Sequence, residues 1–575
     1  MDEGEGLMGN PAVSMAPALA KSELLANSKK DLVRRAQALS CTLSEKNKPS
    51  CSTTVFLGMF FDGTGNNRDD DLPQNKQSNV VRLWMAHRDS EDKKSASPSA
   101  FFRSEYVPGV GTPFPLVGET QHEGAKATAG KAAAYGGQAR IFWGLLQTLN
   151  ALHRAVKNGP LVPDKDAGKL AAGWSSNPWS VETGRAGIKA KTKELAAILK
   201  GDPKPKLQQF TVSVFGFSRG AAQARAFCNA FYELLCEPAG AGHTLAGVPV
   251  RIIFLGIFDT VASVGVIGAD LLTMEGHQAW ANKALRIHPS IQRCVHYVAS
   301  HEVRACFSLD SVRYKGVLPS NCVEVAYPGA HSDVGGGYRP NTQGRSSSPG
   351  VDSYNFLALV PCIHMYKEAF AAGVPLKPFD AMTAREKRNF TPSDQLLDDF
   401  NAYVGACKVS GSTEEVLNQC MDRYRFYRFR RLDSFVSTAK TQGAPADDAK
   451  FLELTNGHFQ SQCKDFQRKY ANAKRVADHD RDFAYYQWVK NGRQGTFTNT
   501  APSMRDNLNK GFIKEDLDMW EAMHRVGETP PALVTLFDRY VHDSMAGFAQ
   551  DGVDEFTINH RGHMRNRTVY DKGGE

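Results

Sequence analysis

The stretch Val212-Ser213-Val214-Phe215-Gly216-Phe217-Ser218-Arg219-Gly220-Ala221-Ala222 decides how this chain is read. It places G-x-S-x-G between an apolar run at 209–215 and an alanine-rich segment of helical character at 219–235. A serine on a sharp strand-to-helix turn takes a strained backbone, and the residues two places away must be tiny to avoid collision. Gly216 and Gly220 meet that demand. Such a turn lifts Ser218 to the carboxyl end of a sheet. There a helix N-terminus supports developing negative charge, and the Arg219 N–H points at an oxyanion. The competing reading is a chance match in a chain with 50 glycines. The strand before and the helix after favour a nucleophile elbow.

Working outward, β-branched and aromatic runs at 54–61, 101–107, 250–258, 294–300 and 323–326 read as strands, and 138–157 has helical periodicity. Continuous apolar strands separated by helices predict an α/β fold, a mostly parallel sheet covered on both faces as in the α/β-hydrolases. Residues 1–50 read as an N-terminal arm with an amphipathic helix within 22–43. Residues 51–372 read as the catalytic domain, with 158–208 an insertion over it holding one helix near 191–199. Past residue 372 strand patterns thin out and charged, aromatic, helical stretches such as 451–489 take over. The region 373–575 therefore reads as an appended, mainly helical module, a lid or a membrane-docking surface.

Composition narrows the classes. A chain of 575 residues, 42% hydrophobic and 23% charged, is globular in profile. Its net charge of +8, from 69 basic and 61 acidic residues, suits an anionic lipid surface but forms no Lys/Arg stripe of the kind nucleic acid requires. Eleven scattered cysteines without a C-x-x-C pair argue against a disulfide framework or a structural zinc. The start Met-Asp-Glu-Gly-Glu is acidic where a secretory signal needs positive charge. Synthesis in the cytoplasm is expected, with export by another route. No H-E-x-x-H occurs. The acidic run 62–71 lacks the glycine and glutamate of an EF-hand, with Asn67 and Pro73 in their places, and 124–132 departs from a phosphate loop. Neither metal nor cofactor is implied.

A hydrolase elbow requires an acid and then a histidine later in the chain. Asp259 follows the clean strand Phe254-Leu255-Gly256-Ile257-Phe258, whereas Asp270 and Asp310 do not follow so clean a strand. A turn or N-cap aspartate is the bland alternative. For the base, His331 in Tyr327-Pro328-Gly329-Ala330-His331-Ser332-Asp333-Val334-Gly335-Gly336-Gly337-Tyr338 is placed in a flexible glycine-dense loop after a strand. His288, His296, His301 and His542 compete, and His542 paired with Asp333 keeps the required order and ranks second. A second oxyanion donor is expected from the tight loop Asp62-Gly63-Thr64-Gly65-Asn66-Asn67, at Gly63 or Thr64. An ordinary Asp-Gly turn is the alternative there.

Four blocks carry a family resemblance: Phe60-Phe61-Asp62-Gly63-Thr64-Gly65-Asn66-Asn67, Gly216-Phe217-Ser218-Arg219-Gly220-Ala221, Gly256-Ile257-Phe258-Asp259-Thr260-Val261, and the stretch from Gly329 to Tyr338. With His301-Glu302-Val303-Arg304 and Phe307, they run in order across 54–372. The chain resembles the lipase effectors of the bacterial type VI secretion system, in particular the first phospholipase effector family. The resemblance implies a triad of Ser218, Asp259 and His331, and A-type cleavage of acyl esters in membrane phospholipids. It also implies delivery into the periplasm of a rival bacterium, with a secretion spike or adaptor and an immunity protein as partners. A soluble carboxylesterase or thioesterase is the enzymatic alternative. A non-catalytic binding module on a hydrolase scaffold is the alternative of another class.

Overall fold

The computed structural model describes residues 13–21, 29–40, 52–92, 97, 99–120, 136–201, 204–262, 279–346, 355–493, 508–509, 514–525, 529–547 and 562–574. Its centre is a sheet built from β1 (Ser14–Met15), β2 (Ser52–Phe61), β3 (Ala100–Val107), β4 (Lys206–Phe217), β5 (Cys236–Ala239), β6 (Gly242–Leu245), β7 (Val248–Phe258), β8 (Cys294–Ala299) and β10 (Cys322–Tyr327). The order is β1-β10-β8-β7-β4-β2-β3, and every neighbour along that path is parallel. The hairpin β5–β6 adds an antiparallel flap to β7.

Alternation along the strands sorts two cores. Val55, Leu57, Met59 and Phe61 of β2 face helices α3 (Gly137–Lys157) and α5 (Arg219–Leu235), with Phe227 and Phe231 among their partners. Phe60 of β2, Phe215 and Phe217 of β4, and Phe258 of β7 face the other way. There they meet α2 (Asn79–Ala86), α7 (Leu359–Ala371), α8 (Thr413–Arg430) and α10 (Pro531–Arg539). Two-sided burial explains why the central strands read as unbroken apolar runs.

The expected arm contributes helix α1 (Lys29–Ser40), the edge strand β1, and buried Val13, Ala16 and Leu19. Within 158–208 lie Asp164–Gly173 and α4 (Pro178–Lys200), the latter opened by the Asn177 side chain accepting from Ser180 N–H at 3.0 Å. Among the described residues the longest helix is α9 (Ala446–Lys490), 45 residues. The chain returns to the sheet's side late in sequence, where β11 (Val569–Tyr570) pairs in parallel with β9 (Leu309–Asp310). No helix among the described residues is long and apolar enough to cross a membrane.

Candidate active site

Ser218 stands between β4 and α5 with φ +58° and ψ −129°, a conformation that costs a non-glycine residue about 1–3 kcal/mol. The bend is fixed on both sides: Ser218 N–H donates to Phe258 O at 3.0 Å, and Val261 N–H donates to Ser218 O at 3.3 Å. The glycines two places away have a steric cause. A Cβ on Gly216 would lie 2.6 Å from Ala221 Cα, and one on Gly220 would lie 2.2 Å from Asp62 O. Ser218 is 2% exposed.

Asp259 follows directly on β7, with φ +39°, and is completely buried. Its Oδ2 receives His331 Nδ1–H at 2.5 Å, and its Oδ1 receives Ala299 N–H at 2.8 Å. Burial pulls the Asp259 carboxyl upward, but the charge of Arg567 and then the bond from His331 hold it well below the usual carboxylate range. His331 lies 4% exposed, and burial depresses its pKa from the ordinary histidine value in spite of Asp259. Its Nε2 has no hydrogen-bond partner among the described residues, so the bond to Ser218 Oγ is not closed in this structure. Unliganded sites often show such contacts long or unmade. What places the imidazole beside the elbow is packing. The ring of Phe217, next to the serine, lies 4.6 Å from that of His331, and Phe307 meets the imidazole edge-on at 4.8 Å.

His331 does not occupy a loop. It opens a short helix, α6 (His331–Gly335), because the Asp333 carboxylate turns back to accept Ala330 N–H at 2.9 Å. Glycine density here serves close packing: a Cβ on Gly335 would lie 1.9 Å from the Phe217 ring.

The loop after β2 faces the elbow. Arg219 Nε donates to Thr64 Oγ1 at 2.5 Å, which ties the loop to the first residue of α5. Gly63 N–H, one of the two donors expected from sequence, instead binds Asp62 Oδ1 at 2.8 Å. Asp62 is buried, pushed up to about 7 by desolvation, and receives the Tyr106 hydroxyl at 2.7 Å. Thr64 N–H has no hydrogen-bond partner among the described residues and so is the donor left over in this loop.

Comparison with protein families matches residues 57–235 and 238–368, more than half of the chain, to the catalytic domain described as "T6SS, Phospholipase effector Tle1-like". The chain belongs to this family of type VI secretion phospholipase effectors. The matched span contains Ser218, Asp259 and His331. A solved structure of an uncharacterized protein from Pseudomonas aeruginosa is similar over 98% of this chain and 85% of that one, at 27% identity and a TM-score of 0.72. The Tle1 effector bound to the VgrG spike from the type 6 secretion system aligns over 53% of this chain and 56% of that one, at 22% identity and a TM-score of 0.28, a fit too loose to relate the two in detail. Curated proteins gave no match.

In this Tle1-like chain the rival histidines have other partners. His296 accepts Thr260 N–H at 3.1 Å and pairs with Glu324 at 2.9 Å. His301 accepts Gly329 N–H at 2.8 Å, and His288 stacks on Tyr232 at 4.2 Å. Asp310 accepts Ala262 N–H at 3.0 Å, while Asp270 lies outside the described residues. His542 and Asp333 do pair, at 2.6 Å, with the Tyr338 ring stacked 3.8 Å from the imidazole. That pair clamps the C-terminal residues to α6, and Asp333 at the same time caps the helix that begins with His331.

Two groups that sequence reading missed reach the Tle1-like site. Glu302 accepts His331 N–H at 3.3 Å and is paired with Arg304 at 2.8 Å. Arg567, from the far end of the chain, contacts both oxygens of Asp259, at 2.7 and 2.8 Å. No motif marks Arg567; only the preceding block at 301–304 hinted at Glu302.

Proposed function

We propose that the protein is a serine hydrolase of phospholipase A type, with Ser218 as nucleophile, His331 as base and Asp259 as the acid that orients it. The observation that carries this reading is the 2.5 Å Asp259–His331 pair, packed through Phe217 against a serine held at φ +58°. Ser218 Oγ attacks the carbonyl carbon of an acyl ester while His331 Nε2 takes its proton. The N–H groups of Arg219 and Thr64 donate to the oxyanion. The imidazolium returns the proton to the departing lysophospholipid oxygen, and water then releases the fatty acid by the same route. Hydrolysis needs no redox partner.

Family membership favours membrane phospholipid over a soluble ester as substrate, and the net charge of +8 favours an anionic bilayer. Delivery by a secretion spike and antibacterial action in a target periplasm complete the reading. The test is hydrolysis of vesicles of phosphatidylethanolamine and phosphatidylglycerol beside p-nitrophenyl butyrate, by the wild type and by Ser218→Ala. The expected result is release of fatty acid and lysophospholipid from vesicles, lost in the variant. A strong preference for the soluble ester counts against the phospholipase reading, and turnover by folded Ser218→Ala counts against the serine mechanism.

A further inference from the structure

We propose that Arg567 is a positioning residue of this hydrolase, which locks the Asp259 carboxylate and sets the pH at which His331 becomes a free base. The inference rests on the assignment of Ser218, Asp259 and His331 above.

Arg567 lies 308 residues from Asp259 in sequence, and both side chains are buried. All three nitrogens of its guanidinium donate, two of them to the acid. Nη1 donates to Asp259 Oδ1 at 2.7 Å and to Ala299 O at 3.1 Å, Nη2 donates to Asp259 Oδ2 at 2.8 Å, and Nε donates to Phe307 O at 2.8 Å. A bidentate arginine fixes the rotation of a carboxylate as no single hydrogen bond can. Asp259 Oδ2 is therefore aimed at His331 before substrate arrives.

The segment bearing Arg567 is held by its backbone and by side chains, with His563 paired to Asp543 at 3.0 Å and Asp571 Oδ2 accepting Gly316 N–H at 2.6 Å. Leu309 N–H donates to Thr568 O and Ser311 N–H to Tyr570 O, while Leu285 and Lys283 donate to Gly573 O and Gly574 O. Arg425 Nε binds His563 O at 3.0 Å. Val569 and Tyr570 are only half-buried. The segment is a strap stitched beside the site, and Arg567 is the side chain it sends to Asp259.

The charge balance gives the arrangement a chemical consequence. An imidazole beside a lone buried carboxylate is driven toward imidazolium. Here the charged groups around His331 are Asp259, straddled by Arg567, and Glu302, paired with Arg304. Tyr338 and Cys306 stand beside Arg304. Each carboxylate thus meets the imidazole with its charge already compensated, so His331 stays neutral and able to take a proton at lower pH. Removing the Arg567 charge exposes His331 to an uncompensated Asp259, raises the histidine pKa, and moves the acid limb of the rate profile to higher pH.

The experiment compares full-length wild type, Arg567→Met, Arg567→Lys and Ser218→Ala by kcat, KM and the pH dependence of kcat/KM on vesicles, with circular dichroism as the check on folding. Arg567→Met is expected to lower kcat about 100-fold, the scale of a displaced catalytic group, with KM changed less than about threefold. Its acid limb is expected to rise by about one pH unit. Arg567→Lys keeps the charge without the fork, so it restores the acid limb and recovers only part of kcat. Should Arg567→Met fail to fold, the neutral Arg567→Gln takes its place beside Arg567→Lys: a raised acid limb in Arg567→Gln and not in Arg567→Lys supports the proposal, and the same limb in both overturns it. A folded Arg567→Met with wild-type kcat and pH profile also overturns it, as does an equal loss in both variants with no shift in either. Ser218→Ala separates the two levels. If it retains turnover, the serine reading fails; if it is inactive while folded Arg567→Met behaves as wild type, only the role of Arg567 fails.

Discussion

The ring of Phe217 lies 4.6 Å from that of His331, so the residue before the elbow serine forms the floor on which the histidine rests. Strand β4 thus sets the serine and the imidazole in one stroke. Gly335, at the other end of α6, touches the same ring.

This contact makes Gly335→Ala a sharp probe. The added methyl would sit 1.9 Å from an aromatic carbon, so either Phe217 or α6 must move. Overpacking of this kind costs about 1–3 kcal/mol. The expected outcome is a folded protein with a lowered melting temperature and kcat reduced at least tenfold, read by calorimetry and vesicle hydrolysis together.

The His542–Asp333 pair has a different expected role. His542→Ala removes the imidazole from a buried carboxylate that keeps the N–H groups of Ala330 and His542, and the lost hydrogen bond to a charged group is worth about 1.5–3 kcal/mol. We expect a large loss of thermal stability while the folded fraction still reacts with a fluorophosphonate. His331→Ala should do the reverse, sparing stability more than reactivity.

Thr64→Val tests the loop after β2. The substitution removes the Oγ1 that receives Arg219 Nε, a charged hydrogen bond worth about 1.5–3 kcal/mol, and frees the loop that presents the Thr64 N–H. A fall in kcat of roughly tenfold or more, with KM little changed, is the expected pattern for a donor that acts on the transition state.

Stability should fall as pH drops from 6.5 toward 4. Burial holds His87 at about 4, and His301 and His364 at about 3, below the unfolded value of about 6.5. In that window unfolding takes up protons at these three sites, so acid favours the unfolded chain. Asp62, held at about 7, pulls the opposite way because it releases a proton on unfolding. The three histidines outweigh it, and the melting temperature measured at pH 5.5 should lie below that at pH 7.

The bend at Ser218 is legible in sequence because its constraint is local: Gly216 and Gly220 are required by atoms within a few residues or one strand away. The parallel sheet is legible for a similar reason, since strands buried on both faces leave unbroken apolar runs. The small β5–β6 hairpin is too short and polar for that signal, though Gly240, at φ +59°, marks its turn. The helix at His331 is hidden because a side-chain cap from Asp333, not propensity, creates it. The choice between Gly63 and Thr64 turns on where the Asp62 carboxylate points, which no spacing records. Arg567 leaves no trace at all: its contact with Asp259 spans 308 residues and belongs to no motif.

Covalent labelling reads the partnership of Ser218 and His331 at the reacting hydroxyl itself. Wild type and His331→Ala would be treated with a fluorophosphonate, digested, and the adduct located and timed by mass spectrometry. A single adduct is expected on the peptide containing Ser218, formed at least about 1,000-fold more slowly without His331. An adduct on a different serine, or labelling of Ser218 at the same rate in folded His331→Ala, would contradict it.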